Sequence, residues 1–219
     1  MQHSLESVWQ QREEVVYPER FGTFSRGVFP LDSELFSGIF GVSEADPRWF
    51  HYGVLEYSPR PSRQTWIYVT TGFSNPWDDE PSEYSTENYT GFGSELVLET
   101  LEQSDWAINA LRKILAYDVL LANGRFGDPD ALDVGSRIPL GGPINGDETS
   151  QVRFLVAVRP THYEPRFVLA SGKADFLHLV GITESERDYA REHDTDALVE
   201  KLAAVGSSSV TNPARAAAV

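Results

Sequence analysis

The feature that most constrains the fold is a change of hydrophobic period in the middle of the chain. Over Gly93–Leu101 the side chains alternate between two faces, as a strand requires. Over Trp106–Ala122 the apolar side chains instead recur every three or four residues, which predicts an amphipathic helix. Ser104 or Asp105 supplies its N-terminal cap. A strand followed directly by a long one-sided helix predicts a sheet that this helix covers.

Other segments have the patterns of strands and helices. The further predicted strands are Phe50–Tyr57, Gln64–Thr71, Gln151–Arg159 and the nearly continuously apolar, hence central, Ala174–Ile182. The further predicted helices are Leu5–Val16, which should end before Pro18, Glu184–Glu192, which opens with a capping box at Thr183, and Asp196–Val205. Together these segments predict an α+β fold, a single domain with a mixed, mostly antiparallel β-sheet packed against helices.

The remaining segments predict how this domain is bounded. Residues 20–63 are interpreted as short strands and turns, and the acidic segment 72–91 as an exposed loop. We expect residues 1–49 to form an N-terminal helix and an irregular segment packed on the domain, and residues 50–205 to form the domain itself. The low-complexity residues 206–219 predict a disordered tail.

Charge and composition narrow the classes of function. The 219 residues include 18 basic and 33 acidic side chains, a formal net charge of −15, which disfavours a nucleic-acid partner. The lack of cysteine excludes disulfides and cysteine-based zinc sites. Without a membrane-spanning apolar run or a signal peptide, the chain is expected to be cytoplasmic and not to bind membranes. Its acidity serves either solubility or the attraction of a basic protein partner.

The motifs predict no catalytic, metal or cofactor site. The five histidines are scattered without metal-ligand spacing, and Gly91-Phe-Gly93 precedes a strand, where no helix dipole is available to bind phosphate. The acids in Asp128-Pro-Asp130…Asp133 are interpreted as a solvated turn, and Asp78/Asp79 as part of an exposed loop. Glu184/Glu186 lie in the first turn of a predicted helix, where they complement its dipole. We therefore predict that the chain is not an enzyme and needs no cofactor.

Six segments follow one another in an order shared with a known family. They are Trp66–Ser74 (WIYVTTGFS), Gly91–Glu99 (GFGSELVLE), Trp106–Tyr117 (WAINALRKILAY), Gly135–Leu140 (GSRIPL), Phe154–Pro160 (FLVAVRP) and Ala174–Glu186 (ADFLHLVGITESE). With a closing helix from Asp196, they resemble the Suppressor of fused domain over about residues 50–205.

This resemblance implies a non-enzymatic domain that sequesters or inhibits a protein or peptide partner. Animal members use it with a second domain to hold a peptide of a transcription factor, whereas this sequence matches the first domain alone. Single-domain bacterial-type members resemble immunity proteins that neutralise a cognate toxin. A basic toxin is therefore a candidate partner, and we expect a monomer or a weak homodimer.

The resemblance also implies where the partner binds. Tyr117 matches a tyrosine at the end of the family's helix, near its peptide groove, and Asp133 matches an acidic residue before its P-L turn. The strand that follows offers an edge to which a peptide can add as a further strand. The predicted partner-binding residues are Tyr117, Asp133, Gly135, Arg137 and Leu140. Alternatively, Tyr117 simply packs on the sheet.

Two other classes of function stay open. The first is a hydrolase whose acids converge only in three dimensions, which a deep pocket with perturbed carboxylates would favour. The second is a small-ligand sensor, which a closed apolar pocket lined by Trp66 and Trp106 would favour.

Overall fold

One mixed β-sheet organises the part of the chain that the structure, a computed structural model, describes: residues 4–77, 79–127 and 131–219. Nine strands within these ranges form it: β1 (Phe24–Pro30), β2 (Gly53–Tyr57), β3 (Trp66–Thr71), β4 (Tyr89–Thr100), β5 (Arg137–Pro139), β6 (Phe154–Val158), β7 (Arg166–Leu169), β8 (Gly172–Ile182) and β9 (Val210–Thr211). The spatial order is β1-β2-β3-β4-β8-β6-β5, with β7 beside β8 and β9 beside β4. β4 runs parallel to β8 and β9, and the other described pairs are antiparallel. The predicted mixed, mostly antiparallel sheet is confirmed.

Helices cover both faces of this sheet. They are α1 (Leu5–Gln10), α2 (Tyr17–Phe21), α3 (Ser33–Phe40), α4 (Asp105–Ala122), α5 (Glu184–Glu192) and α6 (Thr195–Ala204). α4 packs against β2, β3 and β4 on one face, whereas Val8, Tyr17 and Phe21 pack on the opposite face. α5 and α6 enclose a third apolar cluster with β6 and β8. The predicted α+β fold is confirmed, and none of the described helices has the length and apolarity needed to cross a bilayer.

The central strands agree with the sequence pattern. Leu96 and Leu98 of β4 contact the core under α4, and Val97 contacts the core under the N-terminal helices. β8 lies between β4 and β6, which is the predicted central position. α4, α5 and α6 match the predicted helices within one residue at each end.

Two expectations for the N-terminal part are wrong. The helix that should have ended before Pro18 continues to Phe21, because a π-helical turn at Gln11–Val16 joins α1 to α2. Pro18, which cannot donate a backbone hydrogen bond, lies where the π-helical turn passes into α2. The segment 20–63, interpreted as strands and turns, also contains α3, whose N-cap Asp32 accepts a hydrogen bond from a backbone N–H at 2.8 Å.

The C-terminal residues, predicted to be a disordered tail, are instead held on the sheet. β9 pairs with the end of β4, and the Thr211 hydroxyl accepts a hydrogen bond from the Gly181 N–H at 2.8 Å. His178 Nε2 donates to the Ser209 carbonyl at 2.7 Å. A Cβ atom at Gly181 would lie 2.5 Å from the Thr211 methyl group, so glycine is needed there. The prediction is wrong because strand pairing and polar contacts to distant residues order this segment, with little apolar sequence to announce them.

A buried ion pair holds the last residues of the sequence against α5. Both terminal nitrogens of Arg215 contact the carboxylate of Glu186 at 2.5 Å. Glu186 also accepts hydrogen bonds from the N–H groups of Thr183 and Ala218, at 2.8 and 2.7 Å. Burial by itself raises the pKa of Glu186, but these partners outweigh it and lower that pKa below the usual carboxyl range. The same carboxylate thus completes the capping box of α5 and holds the end of the chain.

Replacing Arg215 by methionine (Arg215→Met) is expected to lower the free energy of unfolding by about 3–5 kcal/mol, because a fully buried carboxylate loses its counter-ion. Urea denaturation at pH 7 measures this change. The control, Arg191→Met, removes an exposed charge from the last turn of α5 and is expected to change stability by less than about 0.5 kcal/mol. A loss for Arg215→Met below about 1 kcal/mol, the size of a surface pair, would contradict the prediction.

Candidate functional site

A buried carboxylate, that of Glu95, fixes the loop at 72–77 against β4. Its Oε1 atom accepts hydrogen bonds from the Gly72 N–H at 3.1 Å and from the Ser74 N–H and hydroxyl at 2.9 and 2.6 Å. A hydroxyl of β3 donates to its Oε2 atom at 2.6 Å. Because these bonds draw the start of the loop into the protein, the predicted exposed loop over 72–91 is wrong for its first five residues, which are buried.

Arg12 links the N-terminal helices to the same carboxylate. Its guanidinium lies 3.8 Å from Glu95 and donates to the Ser74 hydroxyl at 3.1 Å and to the Asn75 side-chain oxygen at 2.6 Å. The Trp9 indole N–H donates to the same oxygen at 2.8 Å. Burial raises the pKa of Glu95, and Arg12 together with the hydroxyl donors opposes that shift. One buried polar network therefore joins the N-terminal helices, the loop and β4.

The start of β4 is irregular in a way that exposes Phe92. The pairing of β4 with β8 shifts register here, and Gly91 has a φ angle of +58°. A side chain on Gly91 would collide with the backbone carbonyl of Phe73, so only glycine lets the loop lie this close to β4. The Phe92 N–H donates to that carbonyl at 2.6 Å, while the Phe92 ring stays 44% exposed. The Gly91-Phe-Gly93 motif thus presents an aromatic ring at the surface.

Three cavities within the described residues meet at Phe92. The aromatic cavity, of about 340 Å³, is lined by Trp49, Tyr52, Phe73, Asn75, Trp77 and Phe92, among others. The α4 cavity, of about 480 Å³, is lined by Phe73, Phe92, Asp118, Leu121, Ala122 and Leu132, among others. The Asp133 cavity, of about 310 Å³, is lined by Tyr89, Phe92, Leu132, Asp133 and Asp175, among others. Because Phe92 lines all three, they form one continuous surface, which we call the Phe92 surface.

Asp118 is the ionisable group of the α4 cavity. It lies near the end of α4, is partly buried, and has no hydrogen-bond or ion-pair partner among the described residues. The other described residues that line this cavity are uncharged. Burial raises the pKa of Asp118 from its ordinary value to about 7. An unpaired carboxyl group therefore faces a mostly apolar space.

The structure places the predicted residues Tyr117 and Asp133 in different surroundings. Tyr117 is 41% exposed on α4, and its ring stacks on Phe126 with the centroids 4.9 Å apart. It lines none of the three cavities at Phe92. Asp133 lines one of them, and its Oδ1 atom accepts a hydrogen bond from the Val134 N–H at 2.6 Å. The structure therefore does not bring the two residues into one cavity.

β5 is at the end of the sheet, where the predicted edge strand should be, but it offers few free backbone groups. It pairs with β6, and the Leu140 N–H donates to the Arg153 carbonyl. From this register, Arg137 and Pro139 turn their backbone groups away from β6. Pro139 has no N–H, so Arg137 supplies the single outward donor of β5. This edge is poorly suited to adding a long strand.

The other predicted residues are spread along β5. The Gly135 N–H donates to a carbonyl of β6 at 2.8 Å, and the Arg137 guanidinium donates to a carbonyl of α5 at 3.4 Å. Leu140 lines a separate cavity beside Trp106. None of these three residues lines the cavities at Phe92.

The described acids beside these cavities are divided among them. They contain no group of three or more side chains that could hold a metal ion. Asp78, Asp128 and Asp130 lie outside the described residues. In the α4 cavity, Asp118 supplies the one described carboxyl group and Ser94 the one described hydroxyl group. Asp133 and Asp175 line the neighbouring Asp133 cavity, so within the described residues the α4 cavity does not itself hold the two carboxyl groups that a two-carboxylate hydrolase uses.

The aromatic cavity contains two buried donors without acceptors. Asn75 Nδ2 and Trp77 Nε1 have no hydrogen-bond partner in the described part of the chain. The Asn75 amide is oriented, because its oxygen already accepts hydrogen bonds from the N-terminal helix. None of five cavities within the described residues is lined by both Trp66 and Trp106, the arrangement that would favour a small-ligand sensor.

Sequence analysis missed both Phe92 and Asp118. An aromatic residue between two glycines at the start of a strand was the available signal for Phe92. Asp118 follows Leu111 by seven positions and Ile114 by four, so it lies in line with the predicted apolar face of the helix. A lone acid at such a position was the available signal for an unpaired carboxyl group.

The fold and the cavities define an α+β domain with an open aromatic surface beside its sheet. The chain belongs to the Suppressor of fused protein (SUFU) family, whose family model matches residues 48–216. No curated protein sequence gives a significant match.

Solved structures of low sequence identity share this fold. Drosophila Suppressor of Fused matches with a TM-score of 0.60 and 19% identity, covering 76% of this chain and 42% of that chain. A structure described as the Sufu-Fu complex matches with a TM-score of 0.67 and 18% identity, covering 98% of this chain and 91% of that chain. A SUFU homologue from Neisseria gonorrhoeae matches with a TM-score of 0.62 and 16% identity, covering 96% and 97%. This chain thus spans less than half of the Drosophila protein and nearly all of the other two.

Substituting asparagine for Asp118 (Asp118→Asn) is expected to stabilise the fold above pH 7. In the wild type the folded-state pKa of about 7 exceeds that of the unfolded chain, so folding takes up a proton between these values. At low pH the Asp118 carboxyl group is protonated and its burial costs little stability. As the pH rises towards 7, burial of the ionised group lowers the free energy of unfolding of the wild type. The gain from Asp118→Asn should therefore grow from about pH 4 to pH 7 and then level off at about 1–4 kcal/mol. Urea denaturation at pH 5 and pH 8 measures it; equal stabilities of the two proteins at both pH values would contradict it.

Proposed function

We propose that this chain binds a protein or peptide partner through the Phe92 surface and holds that partner in an inhibited state. The observation that carries the proposal is the exposure of two aromatic rings, Tyr89 at 51% and Phe92 at 44%, where three cavities meet. Exposed aromatic residues beside cavities are typical of the energetically dominant part of a protein interface. The similarity to the structure described as the Sufu-Fu complex supports a protein as the partner.

Within this proposal, the partner is a basic protein. In the specific form that we favour, this chain is an immunity protein and the partner is its cognate toxin. The net charge of −15 supports it, because charge complementarity accelerates association. Asp79, Asp133 and Asp175 line the Phe92 surface against one cation in its described lining, Arg48, and Arg166 pairs with Asp175. Cytoplasmic location and a monomeric or weakly dimeric state stay predictions of the sequence.

The five residues inferred from the family resemblance keep a place in the proposal. Asp133 lines the Phe92 surface, and Tyr117 lies one residue before Asp118 on α4. Gly135, Arg137 and Leu140 form a second candidate contact along β5, to which a short segment of the partner adds through the one outward N–H group.

The proposal is tested by affinity capture from the cells that naturally express the chain. Wild type is compared with Phe92→Ser, with the pair Tyr117→Ala/Asp133→Ala, and with the control Glu200→Gln, which removes an exposed charge from α6. We expect a stoichiometric partner on wild type and control, at least tenfold less on Phe92→Ser, and a smaller loss on the double variant. The purified partner should lose its activity on addition of one equivalent of wild type.

Two results would contradict the proposal. Capture of no partner at low salt by the wild type would remove protein binding itself. Equal capture by Phe92→Ser and the wild type would move the binding site away from the Phe92 surface.

The second candidate function is binding of a small ligand in the aromatic cavity. The observation in its favour is the pair of unpartnered donors, Asn75 Nδ2 and Trp77 Nε1, in a cavity rich in aromatic rings. Such a cavity suits a planar ligand that carries an acceptor oxygen. An ordered water molecule satisfies the same donors if no ligand binds there.

Ligand-observed NMR with a set of aromatic carboxamides tests this second function. Binding that weakens at least tenfold in Trp77→Phe, which keeps an aromatic ring but removes the N–H donor, is the expected result. The control is Trp106→Phe, since Trp106 does not line this cavity. Absence of binding by every carboxamide to the wild type would reject the second function.

A further inference from the structure

The α4 cavity combines three features that suit a ligand. It is large, at about 480 Å³, and aromatic side chains from the loop at 72–77 and from β4, Phe73 and Phe92, form part of its wall. Its single described ionisable group is Asp118, which has no hydrogen-bond or ion-pair partner among the described residues. Every described neighbour of Asp118 in this wall is uncharged.

The isolation of Asp118 contrasts with the other buried carboxylates of the fold. Glu95 accepts four hydrogen bonds and lies beside Arg12, and Glu186 is paired with Arg215. Removing a carboxylate from water is unfavourable unless a cation or donors replace the water. Asp118 therefore bears an electrostatic penalty that the folded chain does not itself relieve, and a bound cation in the cavity would relieve it.

We propose that the α4 cavity is a subsite for a basic side chain of the partner, arginine in the first place, with Asp118 as its counter-ion. This inference rests on the proposed protein-binding function and names the chemistry that the partner presents at that surface.

The cavity walls favour arginine. A guanidinium group forms two parallel hydrogen bonds with a carboxylate, and its flat face packs on aromatic rings, as Phe73 and Phe92 allow. An apolar side chain is the competing occupant, and it would leave Asp118 unpaired. The overall negative charge of the chain favours the basic side chain, because it raises the local concentration of cations.

The decisive probes are N-acetyl-arginine amide and N-acetyl-citrulline amide, which have the same shape but differ in charge. Each is titrated into ¹⁵N-labelled wild type at pH 7.5, and the shifts of the Leu121, Ala122 and Gly124 amides report on the α4 cavity. We expect the arginine probe to bind with saturating shifts at these amides, and the citrulline probe to bind at least tenfold more weakly.

Two variants separate the counter-ion from the shape of the cavity. Asp118→Asn is expected to weaken the arginine probe at least tenfold and to leave the citrulline probe unchanged. Glu200→Gln, which removes an exposed negative charge from α6, should change neither. Because Asp118→Asn removes an unpaired acid, it should fold at least as stably as the wild type, so unfolding does not explain a loss.

Three results overturn the proposal: equal affinity for the two probes, arginine binding that Asp118→Asn does not weaken, or arginine-induced shifts confined to other parts of the chain. The subsite and the protein-binding function fail separately. A captured protein partner with no arginine binding rejects the subsite alone, whereas arginine binding that needs Asp118, without any captured partner, rejects the protein-binding function alone.

Discussion

The buried contact between Arg12 and Glu95 is the interaction on which the rest of the candidate site depends. Glu95 lies in β4 with no exposure to solvent, and its burial is tolerated because a guanidinium, two backbone N–H groups and two hydroxyl groups surround it. The same donors draw the loop at 72–77 onto β4. That loop places Phe73 against Phe92, and the two rings together shape the α4 cavity. The N-terminal helices are therefore part of the site's support, although they do not line it.

Three carboxyl groups within the described residues illustrate how context decides what a buried acid does. Glu95 joins the N-terminal helices to the sheet, and Glu186 joins the C-terminal residues to it. For Glu186 the arginine and the N–H donors outweigh desolvation, so its pKa falls. Asp118 has no such partners, and desolvation alone raises its pKa. The structure compensates the first two acids internally and leaves the third one unpaired at a surface where a partner has access.

The sequence predicted the parts of this fold that follow from hydrophobic period. The strand β8, the helix α4 and the capping box of α5 could all be predicted from the sequence, because each depends on side chains close together in the chain. The order of the C-terminal residues could not be predicted, because Thr211 and Arg215 bind residues about 30 positions earlier. The cavities could not be predicted either, since their walls come from the loop at 72–77, β4 and α4 together. Tyr117 and Asp133 could be proposed by resemblance, but whether they line the same cavity depends on those same long-range contacts.

The parallel pairing of β4 with β8 has a consequence for the order of folding. Leu96 pairs with Leu177, and β9 adds to the same strand from still later in the sequence. During synthesis β4 leaves the ribosome well before its partners exist, so its apolar residues stay without a neighbour on that side until translation reaches β8. Contacts between such distant segments close slowly and expose aggregation-prone strand edges in the interval. The nascent β4 strand therefore has one unpaired edge until β8 has been translated.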